Sequence, residues 1–297
     1  MVNWRRRPPQ EELDYLQAED DGLLARRTGE WALHKLAILS NYFRRFNQAS
    51  QRSRTRNYVD GFAGPGLNFI PAGGGEFIWG SPLLASRANP AFTRLLLMEE
   101  SANAHAALQA RLDHDRRAHV IQGDCNELLV STMRRDLNPL APTLCVLDPN
   151  GVELRWSTVE GVSGFRSGTR KTELLITFAR NMALLRLLRV RGDVDDATRF
   201  LIDSFFGTRE WEPIYEQRVN GELQPAQASE RYLHLYESRL RDVLGYKHVF
   251  STTVRRRGNE GGPLYLLTFA SDDDAGERIM RYVFERMTPL DPNLRLF

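Results

Sequence analysis

The 297-residue chain has only two cysteines, Cys125 and Cys145, and three lysines, Lys35, Lys171 and Lys247. It has no apolar run near the ~18 residues of a membrane span. So few cysteines argue against a disulfide framework, and without CxxC spacing or a paired histidine they form no zinc motif. Both lie beside apolar segments, as small buried side chains do. The N-terminus MVNWRRRPPQEELDYL has arginines but no apolar stretch behind them, so no secretory leader is expected, and the expected location is cytoplasmic, with no membrane partner. A net charge of +2 gives no bulk attraction to nucleic acid. The positive charge is instead arginine in clusters: Arg5-Arg6-Arg7, Arg44-Arg45, Arg52/Arg54/Arg56 and Arg255-Arg256-Arg257. Guanidinium forks suit phosphate oxygens, although a solvated face gives the same pattern.

What is present is a regular alternation. Residues 1–29 read as a loosely held arm, because Pro8 and Pro9 interrupt an early helix. Residues 30–46 carry apolar side chains at helical spacing and form a helical lead. NYVDGFA is a strand running into a turn, and LNFIPAGGGEFIWG reads as a loop. Ser81-Pro82 starts a helix, Ser81 as cap and Pro82 in the first turn. TRLLLMEE, AHVIQ, PTLCVL and TELLITFA are further strands, with helices between most of them. A helical insertion follows at about 181–227. KHVFSTTVR and PLYLLTFAS, joined through an Asn259-Glu260-Gly261-Gly262 turn, make a closing antiparallel hairpin before a last helix. Such alternation means an α/β domain with a mostly parallel sheet, one domain over 30–297.

Chemistry concentrates in DGFAGPG, residues 60–66. Gly61, Gly64 and Gly66 strip the turn after the first strand, where sheets of this kind bind ligands. A phosphate loop would end in Gly-Lys-Ser/Thr, and no lysine is near. A dinucleotide would need a helix starting at the third glycine and a ribose acid ~20 residues on, whereas the next candidate acid, Glu99, lies 33 residues past Gly66. S-adenosylmethionine carries no phosphate and needs only a bare loop, an acid for its ribose and a polar group for its adenine. Asp60, Glu99, Asp124 and Asp148 close four successive strands. Capping explains any one of them, but all four carboxyl ends line one crevice. The six histidines, His34, His105, His114, His119, His234 and His248, are scattered and suggest no triad, and no metal ligand set is expected.

DGFAGPG resembles the first motif of nucleic-acid methyltransferases, Asp-x-Phe-x-Gly-x-Gly, and LDPNG resembles the Asp-Pro-Pro-Tyr motif of the amino-methyltransferases. WALHKLAILSNYFRRF, GSPLLA, GDCNELL, VLDPNGV with Trp156, LLITFA and LYLLTFAS with GERIM extend the likeness over 31 to about 282. Together they resemble the three-Cys-motif partner proteins, TcmP. The resemblance implies a Rossmann-like class I methyltransferase fold and a radical-SAM-like three-Cys-motif protein as partner. The expected cofactor is S-adenosylmethionine, held by Asp60, Gly61, Phe62, Ala63, Gly64, Gly66, Ser81, Pro82, Glu99, Asp124 and Cys125. Asp148, Pro149 and Asn150 are the candidate catalytic residues. Lys35, matching the family's helix lysine, and Trp156 are candidates for the substrate side. One departure stands out: Asn150 occupies the place of an aromatic residue that stacks on a flipped base, and Trp156, six residues on, is the candidate replacement. The expected function is a methyltransferase acting on an amine of a nucleic-acid base. The alternative is a silent subunit of the same fold that binds nucleic acid or its partner protein.

Overall fold

The structure, a computed structural model, describes residues 8–178, 184–188, 194–255 and 263–287. Helix α1 (Gln10–Leu16) and the two-residue strands β1 (Gln17–Ala18) and β2 (Arg26–Arg27) precede the long helix α2 (Trp31–Ala49). Strand β3 (Asn57–Asp60) leads into the glycine turn and a hairpin, β4 (Leu67–Ile70) and β5 (Glu76–Trp79). Then follow α3 (Ser81–Ser86), β6 (Arg94–Glu99), α4 (Ala102–Leu112), β7 (Ala118–Gln122), α5 (Cys125–Asp136), β8 (Thr143–Leu147), α6 (Trp156–Ser163) and β9 (Glu173–Phe178). A short turn α7 (Leu185–Leu187) and helices α8 (Asp196–Phe206), α9 (Glu212–Val219) and α10 (Pro225–Ser238) come before β10 (His248–Arg255), β11 (Pro263–Ser271) and α11 (Asp274–Met287).

The main sheet has seven strands in the order β10-β11-β9-β8-β3-β6-β7. Strands β7, β6, β3, β8 and β9 are parallel, while β11 runs antiparallel to both its neighbours, β9 and β10. The sheet is covered on both faces, and its strands divide their side chains by parity, as a pleated strand must. In β8, Leu144 and Val146 join the core under α2, α3, α4 and α11, whereas Cys145 and Leu147 join the core under α5, α6, α8 and α10. This double burial explains why these strands read as continuous apolar runs. Both cysteines are free and buried. No helix of the described residues is long and apolar enough to cross a membrane.

Three expectations need correction. The arm is not loose from residue 8 onward. Pro9 sits at the N-cap of α1, where a proline lacks no needed donor. Leu13 and Leu16 are buried, and buried Glu12 accepts from Asn41 Nδ2 at 2.7 Å and pairs with Arg44 at 2.5 Å. The segment read as a loop is the β4–β5 hairpin, braced by the tilted rings of Phe69 and Phe77 with centroids 4.9 Å apart. Strands β1 and β2 complete it as a second sheet of order β1-β5-β4-β2. The helical insertion extends to Ser238, beyond residue 227. The Arg5-Arg6-Arg7 cluster, Arg256 and Arg257, and the Asn259–Gly262 turn lie outside the described residues.

Candidate functional site

The carboxyl ends of β3, β6, β7, β8 and β9 share one edge of the main sheet, the place expected for the crevice, and the glycine turn follows directly on β3 there. Every amide from Gly61 to Gly64 is committed inside the protein. Gly61 N donates to Val146 O at 3.0 Å and Ala63 N to Met98 O at 2.9 Å, pinning the turn to the strands on either side. Phe62 N donates to Asp60 Oδ1 at 3.1 Å and Gly64 N to Glu99 Oε2 at 2.8 Å. No described residue donates to the carbonyl oxygens of residues 61–64. Gly64 has φ of 64°, which only glycine adopts without strain. Nothing lies within 4 Å of where its Cβ would stand, so the turn faces open space there.

Asp60 does not reach that space. Its side chain is 0% exposed, and Oδ2 accepts from Tyr58 Oη at 2.8 Å and Ser81 Oγ at 2.7 Å. Burial pushes its pKa up to about 6 against these hydrogen bonds. Asp60 therefore shapes the turn and ties α3 to it through Ser81. Pro82, behind Ser81, is buried in the first turn of α3. Glu99 bridges Gly64 N and Ser101 N, each at 2.8 Å. Asp124 caps α5, accepting from Asn126 N at 2.8 Å with Oδ1. Cys125 faces the core behind Gly61, and burial first of all pushes its thiol up to about 12.

On the other side of the crevice Asp148 sits between two partners. Lys35 Nζ donates to Oδ2 at 2.5 Å, and Thr177 Oγ1 donates to Oδ1 at 2.5 Å. The side chains of Lys35 and Asp148 are 19% and 16% exposed. Burial alone would raise the pKa of Asp148. The Lys35 charge, with the two hydrogen bonds, outweighs burial and holds it below the usual carboxylate value. The Lys35 ammonium also lies 5.5 Å from the ring centroid of Tyr265. Pro149 is buried, while Asn150 is exposed at the lip. Asn150 N donates to Glu153 Oε1 at 2.5 Å, and its Oδ1 accepts from the guanidinium of Arg26. The arm thus crosses the mouth. Arg111 of α4 fastens it, donating to Asp21 at 2.6 and 2.7 Å, to Leu24 O at 2.8 Å and to Pro65 O at 2.5 Å.

Trp156 is not at the mouth. It is 4% exposed, its ring set edge-on to Tyr236 at 5.6 Å and under the Arg239 guanidinium at 4.6 Å. As the first residue of α6 it is turned into the core, so it offers no stacking face. Thr177, Arg26, Arg111, Tyr265 and Glu153 were not foreseen. Thr177 had one signal, its place near the end of the fifth strand.

Strand order and the lone antiparallel strand β11 define a Rossmann-like sheet of the class I methyltransferase type. No family model matches the sequence, and no curated protein matches it. Solved structures are similar in fold. TYW2 of M. jannaschii, crystallised with AdoMet, shares 12% identity over 78% of this chain and 75% of its own, with a TM-score of 0.36. Protein LPL1258 of Legionella pneumophila shares 12% identity over 84% and 89%, with a TM-score of 0.49. The N-terminal domain of human METTL16, in complex with SAH, shares 11% identity over 80% and 71%, with a TM-score of 0.41. At such identities and scores no residue role is carried from them to this chain.

Proposed function

We propose that the protein is an S-adenosylmethionine-dependent methyltransferase acting on an amine, the amine of a nucleic-acid base being the reading that its motifs favour. The observation that carries the cofactor is the hydrogen bonding of the glycine turn. A phosphate cradle works by free backbone amides. Here the four amides 61–64 are all used within the protein, while their carbonyls remain open to a donor. A ligand with an ammonium group and no phosphate matches that polarity, and S-adenosylmethionine is such a ligand. On this reading Glu99 holds the ribose hydroxyls and Asp124, through its second oxygen, the adenine amine. Asp60 acts from beneath, as the buried brace of the turn.

When bound, the cofactor supplies a methyl group on a sulfonium, ready for displacement by an amine lone pair. The chain's own part is alignment. Asp148 and the Pro149 carbonyl accept the N–H hydrogens and turn the lone pair toward the methyl. Lys35 keeps Asp148 ionised, so Asp148 is an acceptor of hydrogen bonds and a weak base, and the released proton passes to water. With Trp156 in the core, the Arg26–Asn150 pair at the lip offers a planar group in its place, and guanidinium planes stack on bases as aromatic rings do.

Calorimetric titration with S-adenosylmethionine and S-adenosylhomocysteine tests the cofactor. Binding is expected in the wild type and at least tenfold weaker in Gly64→Val, whose side chain enters the open space. Absence of binding to either ligand by folded wild type would overturn the proposal. One observation favours a second reading, a silent subunit that binds nucleic acid or a three-Cys-motif partner: Asp148 is already paired on both oxygens. That reading expects cofactor binding without S-adenosylhomocysteine formation on any DNA or RNA, and nucleic-acid binding that weakens steeply with salt.

A further inference from the structure

A second cavity, of about 260 Å³, lies at the amino-terminal edge of the sheet, the end away from the glycine turn. Its walls are the end of α2, the 164–172 segment before β9, the first residue of β9 and the first turn of α11. Three arginines line it. Arg170 is neutralised by Asp273 at 2.5 Å. Among the described residues Arg166 makes one long hydrogen bond, 3.3 Å from Nη1 to Lys171 O, and its buried Nε has no partner. Arg52 makes no hydrogen bond or ion pair among the described residues. A half-buried guanidinium with an unpaired N–H is costly, and such a group calls for an acceptor.

The wall also holds Glu173, buried at the start of β9. Its carboxyl accepts from Tyr42 Oη of α2. Around it stand Tyr42 from α2, Arg166 from the preceding segment, and Ser271 and Asp273 from the end of β11 and the turn into α11. Gly276 is the nearest backbone of α11, where a Cβ would fall 2.7 Å from Glu173 Oε1. Burial, before the other influences, pushes Glu173 up to about 7. Below that pH the acid is neutral. The charge count is then decided by the arginines: Arg170 cancels Asp273, and Arg52 and Arg166 leave two positive charges. The amino-terminal end of α11, a 14-residue helix, adds partial positive charge at the same wall.

We propose that this cavity is a binding site for the phosphate group of a small phosphomonoester, held between the guanidiniums of Arg52 and Arg166. Two uncancelled cations match the charge of about −2 on a phosphomonoester. The guanidiniums come from two separate segments, so they suit an anion with oxygens in several directions. The volume far exceeds the roughly 30 Å³ share of one water, which leaves room for a small organic group on the phosphate.

The test is calorimetry on the full chain with inorganic phosphate, glycerol 3-phosphate, glucose 6-phosphate and glucose. Saturable binding of phosphate or its esters, and none of glucose, is expected. Tighter binding of one ester than of inorganic phosphate identifies the organic part, and equal affinity assigns the site to free phosphate. Arg52→Ala, an exposed substitution, should weaken binding at least tenfold, and Arg166→Gln should do so independently. Sulfate, whose charge is constant between pH 6 and 8, should bind less well at pH 8 in the wild type, and equally at both in Glu173→Gln. No binding of any phosphate by folded wild type would overturn the proposal. So would equal affinity in wild type and Arg52→Ala, the mark of an adventitious ion only. Neither readout depends on the cofactor crevice.

Discussion

Lys35 and Asp148 hold each other where little water reaches, so neither can be replaced alone without consequence. Lys35→Met strands a carboxylate, and a buried pair broken on one side loses about 3 kcal/mol or more. The expected outcome is a lower Tm and, in an acid titration, a raised Asp148 pKa. The sign follows from linkage. Asp148 is depressed in the fold, so its contribution is present above the unfolded carboxylate pKa and disappears as pH falls through the folded one. Glu173 behaves oppositely. Its pKa rises from 4.5 to about 7, so the stability it gives is complete below about 4.5 and is lost as pH climbs to about 7. That loss is on the order of 3 kcal/mol by the standard conversion. Denaturant melts at pH 5 and pH 8 should show it, and Glu173→Gln should shrink the difference. Asp60, raised to about 6, contributes a remainder of the same sign.

Among the elements, the ones that escaped the sequence share a cause. Strands β1 and β2 are two residues each, too short for any period, and they exist because β4 and β5 offer them partners. The hairpin itself was hidden by Pro71 and the Gly73-Gly74-Gly75 run, which read as loop although they form only its turn. The long helix α2 and the strands of the main sheet were legible because their apolar spacing is set by burial. Arg111 shows how the arm depends on tertiary contact. A single guanidinium from α4 meets Asp21, Leu24 and Pro65, all far away in sequence. Charge-assisted hydrogen bonds of this kind contribute about 1.5–3 kcal/mol each where buried. Arg111→Ala should expose residues 19–27 to proteolysis at a rate well above wild type, while the main sheet keeps its melting transition.

For the whole molecule, the crevice was legible because a parallel sheet gathers its carboxyl ends, so acids at four strand ends had to share one neighbourhood. What each acid does there was not legible. Lys35 and Asp148 are 113 positions apart, Arg26 and Asn150 are 124 apart, and no spacing rule reaches so far. Trp156 was misplaced for the related reason that an aromatic near a motif has no direction until its helix is packed. Trp156→Ala should lower stability by about 3–5 kcal/mol, the loss expected of a large core aromatic, and leave S-adenosylhomocysteine affinity unchanged by calorimetry. The two ends of the molecule are also joined by shared rods. Tyr42 and Lys35 stand two turns apart on α2, and Glu173 and Thr177 stand four residues apart on the same side of β9. One member of each pair lines the rear cavity, and the other holds Asp148. Whatever factor by which a phosphate at the rear changes acceptor affinity at the front, acceptor binding must change phosphate affinity by that same factor. A titration at either end thus measures the interaction between both.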